Sequence, residues 1–118
     1  MNCPCKSGKQ YESCCERFIT QQVLAENAEQ LMRSRYSAYV VKDGAYLIKT
    51  WHQKYRPDEF KLEQNLHWLM LDVLDTLSAD NQATVEFEAR FLTEGLVNGL
   101  HEVSQFIFED GQWLYTSG

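Results

Sequence analysis

All four cysteines of the chain fall in its first fifteen residues: Cys3-x-Cys5, eight residues, then Cys14-Cys15. Four thiolates match the ligand count of a tetrahedral structural zinc. Two other chemistries use the same residues. Cys-x-Cys and vicinal cysteine pairs can oxidise, although the usual Cys-x-x-Cys redox spacing is absent. Four unligated surface thiols would be an oxidation liability. A catalytic zinc fits least well, because an all-thiolate set leaves no open position for water.

The residues between the two pairs must bring them together. Pro4 stiffens the first pair, and Ser7-Gly8 supplies turn chemistry where the chain reverses. Residues 9–17 suit a short helical turn that returns Cys14 and Cys15 to the first pair. Such a unit holds almost no apolar core, so metal binding would supply its folding energy. The stretch "CPCKSGKQYESCC" resembles the SEC-C motif, the cysteine-rich knuckle also found at the C-terminus of the SecA translocase. The resemblance rests on Cys3, Cys5, Ser7, Gly8, Lys9, Tyr11, Cys14 and Cys15, with Lys6 standing where the motif usually has glycine. It implies one structural zinc on the four cysteines and a role in binding proteins, ribosomes or nucleic acid. Lys6, Lys9 and Arg17 are the candidate contact residues. They serve equally well to offset the net charge of about −2 that four thiolates and one Zn²⁺ carry.

The chain of 118 residues is long enough for one core, and its formal net charge is −6. That charge argues against wrapping extended nucleic acid, which needs a basic surface. No apolar run approaches the ~20 residues that cross a bilayer. The N-terminus lacks the apolar region of a signal peptide. The expectation is a cytoplasmic protein with reduced thiols.

The body reads as helices followed by strands. Residues 18–26 are the linker, which can extend the last turn of the cysteine unit before joining the body, and Asn27 with Gln30 resembles a capping box. The following helix puts Ala28, Leu31, Met32, Arg35, Tyr36 and Tyr39 in one arc and points Arg33 and Ser37 elsewhere. Asp43-Gly44 ends this helix and caps the next, "GAYLIKTWH"; Pro57 opens a third, "PDEFKLEQN". "LHWLMLDVLDTL" is apolar on both alternations and suits a strand covered on both sides. "ATVEFEARFLT", "LHEVSQFIFE" and "WLYTS" follow as strands, separated by "EGLVNG" and "DGQ" as turns. The order predicts an α+β fold with helices packed on one face of an antiparallel meander.

"LMRSRYSAYVVKDGAYLIKTWH" and "HEVSQFIFEDGQWLYTSG" are similar to the YchJ-type family of bacterial SEC-C proteins. That resemblance implies a nuclear transport factor 2-like (cystatin-like) body over residues 27–118, a curved sheet wrapped by helices into a cone, behind a knuckle at 1–17. Many members carry a second knuckle beyond the point where residue 118 falls. The family brings no established activity. Cones of this kind often enclose a pocket, for which Arg35, Tyr39, Trp51, His52, Asp72, His101 and Glu102 are the candidates. Arg35 on an apolar helix face needs a partner, and Asp72 or Glu102 offers a carboxylate. No nucleophile elbow, phosphate loop or metalloprotease helix is present. Two functions fit: an adaptor that docks a protein or ribonucleoprotein partner through the knuckle, or a small-molecule-binding protein or enzyme using the pocket. Homodimers through the open face of the sheet fit either.

Overall fold

Asn27 starts the main helix as expected. The computed structural model, which describes residues 1–118, places α2 at Ala28–Val41, with the Asn27 side chain accepting the Gln30 N–H at 2.8 Å. The return bond of the box is displaced: Gln30 accepts from the Glu26 N–H at 2.8 Å, one residue upstream. α2 ends with Lys42 in the left-handed region (φ 62°), and the Asp43 N–H closes back to the Ala38 carbonyl at 2.8 Å. Asp43 then caps α3, Gly44–Lys49, by accepting the Tyr46 N–H at 3.0 Å.

The third helix does not form. Residues 56–62 have no regular structure, with a bend at Asp58. Phe60 and Leu62 are the two apolar residues of this stretch and both pack on the core, with exposed Lys61 between them. That spacing of two serves an extended chain; a helix would put the pair on opposite sides.

Four strands follow: β1 His67–Ala79, β2 Gln82–Thr93, β3 Leu96–Glu109 and β4 Gln112–Ser117. They form one antiparallel meander in the order β1-β2-β3-β4. Two-residue turns with both residues at positive φ, Glu94-Gly95 and Asp110-Gly111, join the last three strands. The tight Glu94-Gly95 turn lets β3 begin at Leu96, so residues 96–99, expected in the turn, are strand. Ala83, Val85, Phe87 and Ala89 of β2 face the helices, opposite Phe106, Ser104, Glu102 and Leu100 of β3.

β1 departs from its expected double cover. Leu71 is buried, but Leu69, Leu74 and Leu77 are 43–64% exposed. Register shifts between Trp68 and Met70 and between Val73 and Asp75 mark bulges that put extra residues into this edge strand. The outward face of the sheet is open. Its polar residues include Asp72 opposite Glu88 and Asp75 opposite Glu86.

The cysteine unit is not a separate bead. Cys3, Cys5, Cys14 and Cys15 belong to the same buried cluster as Leu31, Leu47 and Val85. Helix α1, Cys15–Ile19, crosses the boundary expected at residue 17, and Phe18 and Ile19 are buried with it. The first residues of the 18–26 segment thus continue the last turn of the unit, and these two side chains supply an apolar seat for it.

Candidate metal centre

Two backbone devices fold the first pair of cysteines. The Cys3 N–H donates to the Lys9 carbonyl at 2.9 Å, and the Lys6 N–H donates to the Cys3 carbonyl at 3.2 Å. The reversal passes through Lys6 at φ 65° and Gly8 at φ 88°. A bridge between Asn2 and Gln10 closes the loop. A single 3₁₀ turn, Tyr11–Ser13, then delivers Cys14 and Cys15, the latter opening α1.

The four Sγ atoms lie within 4.8 Å of one another, and all four residues are buried. No disulfide links them. A metal–thiolate bond of about 2.3 Å in a tetrahedron sets neighbouring sulfurs about 3.8 Å apart. The Cys5–Cys14 and Cys14–Cys15 separations are 3.7 and 4.0 Å. The donor set therefore fits one tetrahedral metal ion with no vacant position. In the absence of a cation the thiols cannot all ionise. Hydrogen bonds from Cys15 and Cys5 hold the Cys3 thiol well below its usual range, whereas the bonds to Cys3 and Cys5, then burial, push Cys15 well above it. Burial likewise raises Cys14. A divalent cation would remove this conflict by stabilising every thiolate at once.

Around the sulfurs lies a layer of polar groups that periodicity did not reveal. The Ser7 hydroxyl is 3.2 Å from Cys14 Sγ, and the Ser37 hydroxyl is 3.6 Å from Cys3 Sγ. Arg33 donates through Nη1 to the Cys5 carbonyl at 2.7 Å and through Nε to Glu29 at 2.9 Å. Burial opposes the Arg33 charge, but the bonds to Glu29 and Cys5 outweigh it and hold the guanidinium above its usual value. Arg17 donates from Nε to the Cys14 carbonyl at 3.1 Å and stacks over Phe18. Two arginines thus grip the backbone of one cysteine from each pair and set positive charge beside the sulfurs. Arg33 and Ser37, which the helical wheel turned away from the core, face a second buried side of α2. Such outer groups orient metal ligands and tune their basicity.

The candidate contact residues divide. Lys6 and Lys9 are exposed. Arg17 is committed to Cys14. Lys9, Arg17 and Arg33 border a groove that reaches Cys14.

The pocket candidates divide too. Arg35, Tyr39 and Glu102 line one cavity of about 200 Å³ between α2 and the sheet, together with Tyr36, Trp68 and Tyr115. Trp51 lies beneath it, edge-on to Tyr115 at 5.1 Å between ring centroids. His52, Asp72 and His101 are elsewhere. His52 pairs with Glu109 at 2.7 Å, and His101 pairs with Glu86 at 2.7 Å on the outward face. Asp72 is exposed on that same face, because Leu71 and Val73 take the inward positions of β1. Arg35 does not pair with a carboxylate. Its Nη1 donates to the Leu47 carbonyl at 2.8 Å and to the Thr50 hydroxyl at 2.6 Å, and its guanidinium lies 4.3 Å from the Tyr115 ring centroid. The carbonyl end of α3, buried with Arg35, takes the place of the expected carboxylate.

Comparison with known proteins agrees with this architecture. The family model described as "YchJ, middle NTF2-like domain" matches residues 27–118. A UPF0225 protein from Streptomyces coelicolor is 42% identical over 121 residues, covering 98% of this chain and 93% of the relative. The solution structure of a SEC-C motif containing protein from Rhodopseudomonas palustris superposes with a TM-score of 0.91 at 38% identity, covering 100% of this chain and 97% of that one. The crystal structure of a SEC-C motif containing protein from Psychrobacter arcticus gives 0.84 at 26% identity, covering 98% of this chain and 80% of the other. With helices on one face of a four-stranded meander and a buried four-cysteine cluster at the N-terminus, the chain belongs to the YchJ-type family of SEC-C motif proteins.

Proposed function

We propose that this protein is a zinc-bearing adaptor: one structural zinc on Cys3, Cys5, Cys14 and Cys15 shapes a surface that docks a protein or ribonucleoprotein partner. The observation that carries the zinc is four buried sulfurs within 4.8 Å of one another, with two separations of 3.7 and 4.0 Å that match a tetrahedral thiolate site. Four sulfurs in that geometry select zinc or iron, and the closed set argues for a structural ion rather than a catalytic one. The side chains of Arg17 and Arg33 hold the ligand loops in place.

The contact surface is the exposed loop carrying Lys6 and Lys9 beside the groove of Arg17. In a chain of net charge −6 this local basic face favours an acidic protein segment or a short run of phosphates over extended nucleic acid. The test is capture from lysate with the intact protein against a Lys6→Glu, Lys9→Glu double variant, with zinc content measured on both. The double variant keeps its zinc and loses the partners that the intact protein retains. Recovery of the same partners in equal amount would remove the binding role from this face.

A further inference from the structure

Arg35 poses a chemical question that the adaptor reading leaves unanswered. Arg35 is 6% exposed and has no carboxylate partner; the carboxylates that meet basic side chains do so elsewhere, at Glu29–Arg33, His52–Glu109 and His101–Glu86. Burial holds its guanidinium down to about 10. Of its five N–H donors, those on Nη1 serve Leu47 and Thr50. The rest are not sealed away: the sealed side-chain nitrogens without a partner are Trp51 Nε1 and Arg56 Nε. The remaining donors of Arg35 make no hydrogen bond within the protein, and the residue lines the cavity between α2 and the sheet.

The walls specify the rest of an occupant. Tyr36, Trp68, Phe87 and Phe106 give the cavity flat aromatic sides. Trp68 is fixed by Tyr36, Tyr39 and Phe91 at 5.3–5.9 Å between centroids. Glu102, Ser104 and Tyr115 bring three polar groups to the cavity lining; Gly118 packs beside them, so close that an added methyl would come within 2.7 Å of Glu102 Oε2, and an occupant reaches Glu102 from the cavity side. The cavity, about 200 Å³, equals roughly seven liquid waters, room for a single ring with one or two substituents. A lone arginine suits a monoanion. Glu102, on the sheet side of the same cavity, disfavours a dianion such as phosphate and offers an acceptor to a hydroxyl or amine.

We propose that the cavity between α2 and the sheet binds a small hydroxy- or amino-substituted aromatic carboxylate, its carboxylate on Arg35, its ring between the aromatic walls and its donor on Glu102. This site is independent of the metal reading. The alternative is that Arg35 only ties α2 to the end of α3.

The experiment is titration of the reduced, full-length protein, with the metal it carries, by heteronuclear NMR and calorimetry. The probes are the three monohydroxybenzoates, 4-aminobenzoate, benzoate and neutral 4-hydroxybenzyl alcohol. At least one substituted acid binds saturably at one per chain and shifts amides of β2 and β3 beside Phe87 and Glu102. The neutral alcohol binds at least tenfold more weakly. Arg35→Lys, shown folded by its spectrum, weakens the acid at least tenfold, because an ammonium lacks the planar Nε/Nη2 edge that a guanidinium held at Leu47 and Thr50 keeps for a carboxylate. Glu102→Gln favours benzoate relative to its hydroxylated analogue, because it removes the charged acceptor of the hydroxyl while relieving repulsion equally for both acids. If Arg35→Lys does not fold, the acid-to-alcohol ratio and Glu102→Gln decide. The proposal is overturned by no saturable binding of any acid, by equal binding of the neutral alcohol, or by a folded Arg35→Lys with unchanged affinity.

Discussion

Replacing Arg33 by leucine isolates what the outer layer gives the metal centre. Leucine keeps part of the aliphatic stem against α2 and removes the guanidinium. The bond lost is the 2.7 Å contact to the Cys5 carbonyl, and Cys5 is fully buried. Losing a hydrogen bond from a charged donor costs about 1.5–3 kcal/mol, and a buried carbonyl left without a partner costs a comparable amount. The Glu29 pair adds little, since exposed i,i+4 pairs are worth about 0.3–0.5 kcal/mol. The expected loss is therefore about 2 kcal/mol, or about thirtyfold in metal affinity, within the range seen for outer-layer substitutions at metal sites. Competition against a colorimetric zinc chelator of known affinity measures it. Glu29→Gln, the control, changes affinity less than threefold. An Arg33→Leu protein that holds zinc within threefold of the parent would refute the reasoning that this contact orients the ligand loop.

Three further outcomes follow from the geometry. Lys6 sits at φ 65°, a conformation that costs a side-chain-bearing residue about 1–2 kcal/mol; part of that returns in Lys6→Gly, which slows zinc release to a chelator, and faster release would contradict it. Asp72 opposes Glu88 across β1 and β2, so Asp72→Lys raises urea stability by about 0.5 kcal/mol, whereas a cost above 1 kcal/mol would show that the aspartate has a partner. Arg35→Met tests whether burial of the guanidinium is a net cost to folding. The shift from 12.5 to about 10 amounts to a penalty on the order of 3 kcal/mol. That penalty is fully present below pH 10 and fades only toward 12.5, where the unfolded chain still holds the proton. It offsets the bonds to Leu47 and Thr50, so the methionine variant stays within about 1 kcal/mol of the parent by urea unfolding at pH 7; a loss above 3 kcal/mol would mean that the arginine is there for stability.

The sequence was most readable where one face of an element meets one neighbour. β2 alternates Val85, Phe87, Ala89 against Glu86, Glu88, Arg90, and the structure keeps that division. The Asn27 and Asp43 caps were readable because capping is local chemistry. α2 was only half readable. It lies between the sheet and the cysteine unit, and its second buried side is made of Ser34, Ser37 and Arg33, which a hydrophobic period cannot register. β1 misled because leucines on both alternations suggested double cover, whereas bulges and an open face leave three of them in solvent. Pro57 with acidic neighbours looked like a helix start, but the Phe60–Leu62 spacing carried the stronger, extended signal. At the metal centre the four thiols were visible in the sequence; Ser37 and Arg33, 34 and 28 residues along the chain from the cysteines that they touch, had no local mark. In the pocket, the arginine's burial was foreseeable from its helix face. Its partners were not, since a backbone carbonyl at the end of α3 has no residue type to betray it.

The central claim is the zinc on four cysteines, and counting metal tests it most directly. Native mass spectrometry of freshly reduced, untagged protein is expected to show one zinc per chain. A chelator then removes it together with the amide signals of residues 1–19 and weakens those of α2, which shares their core. A chain that carries no metal while all four thiols remain reduced, or that folds residues 1–19 identically after the metal is stripped, would contradict the account.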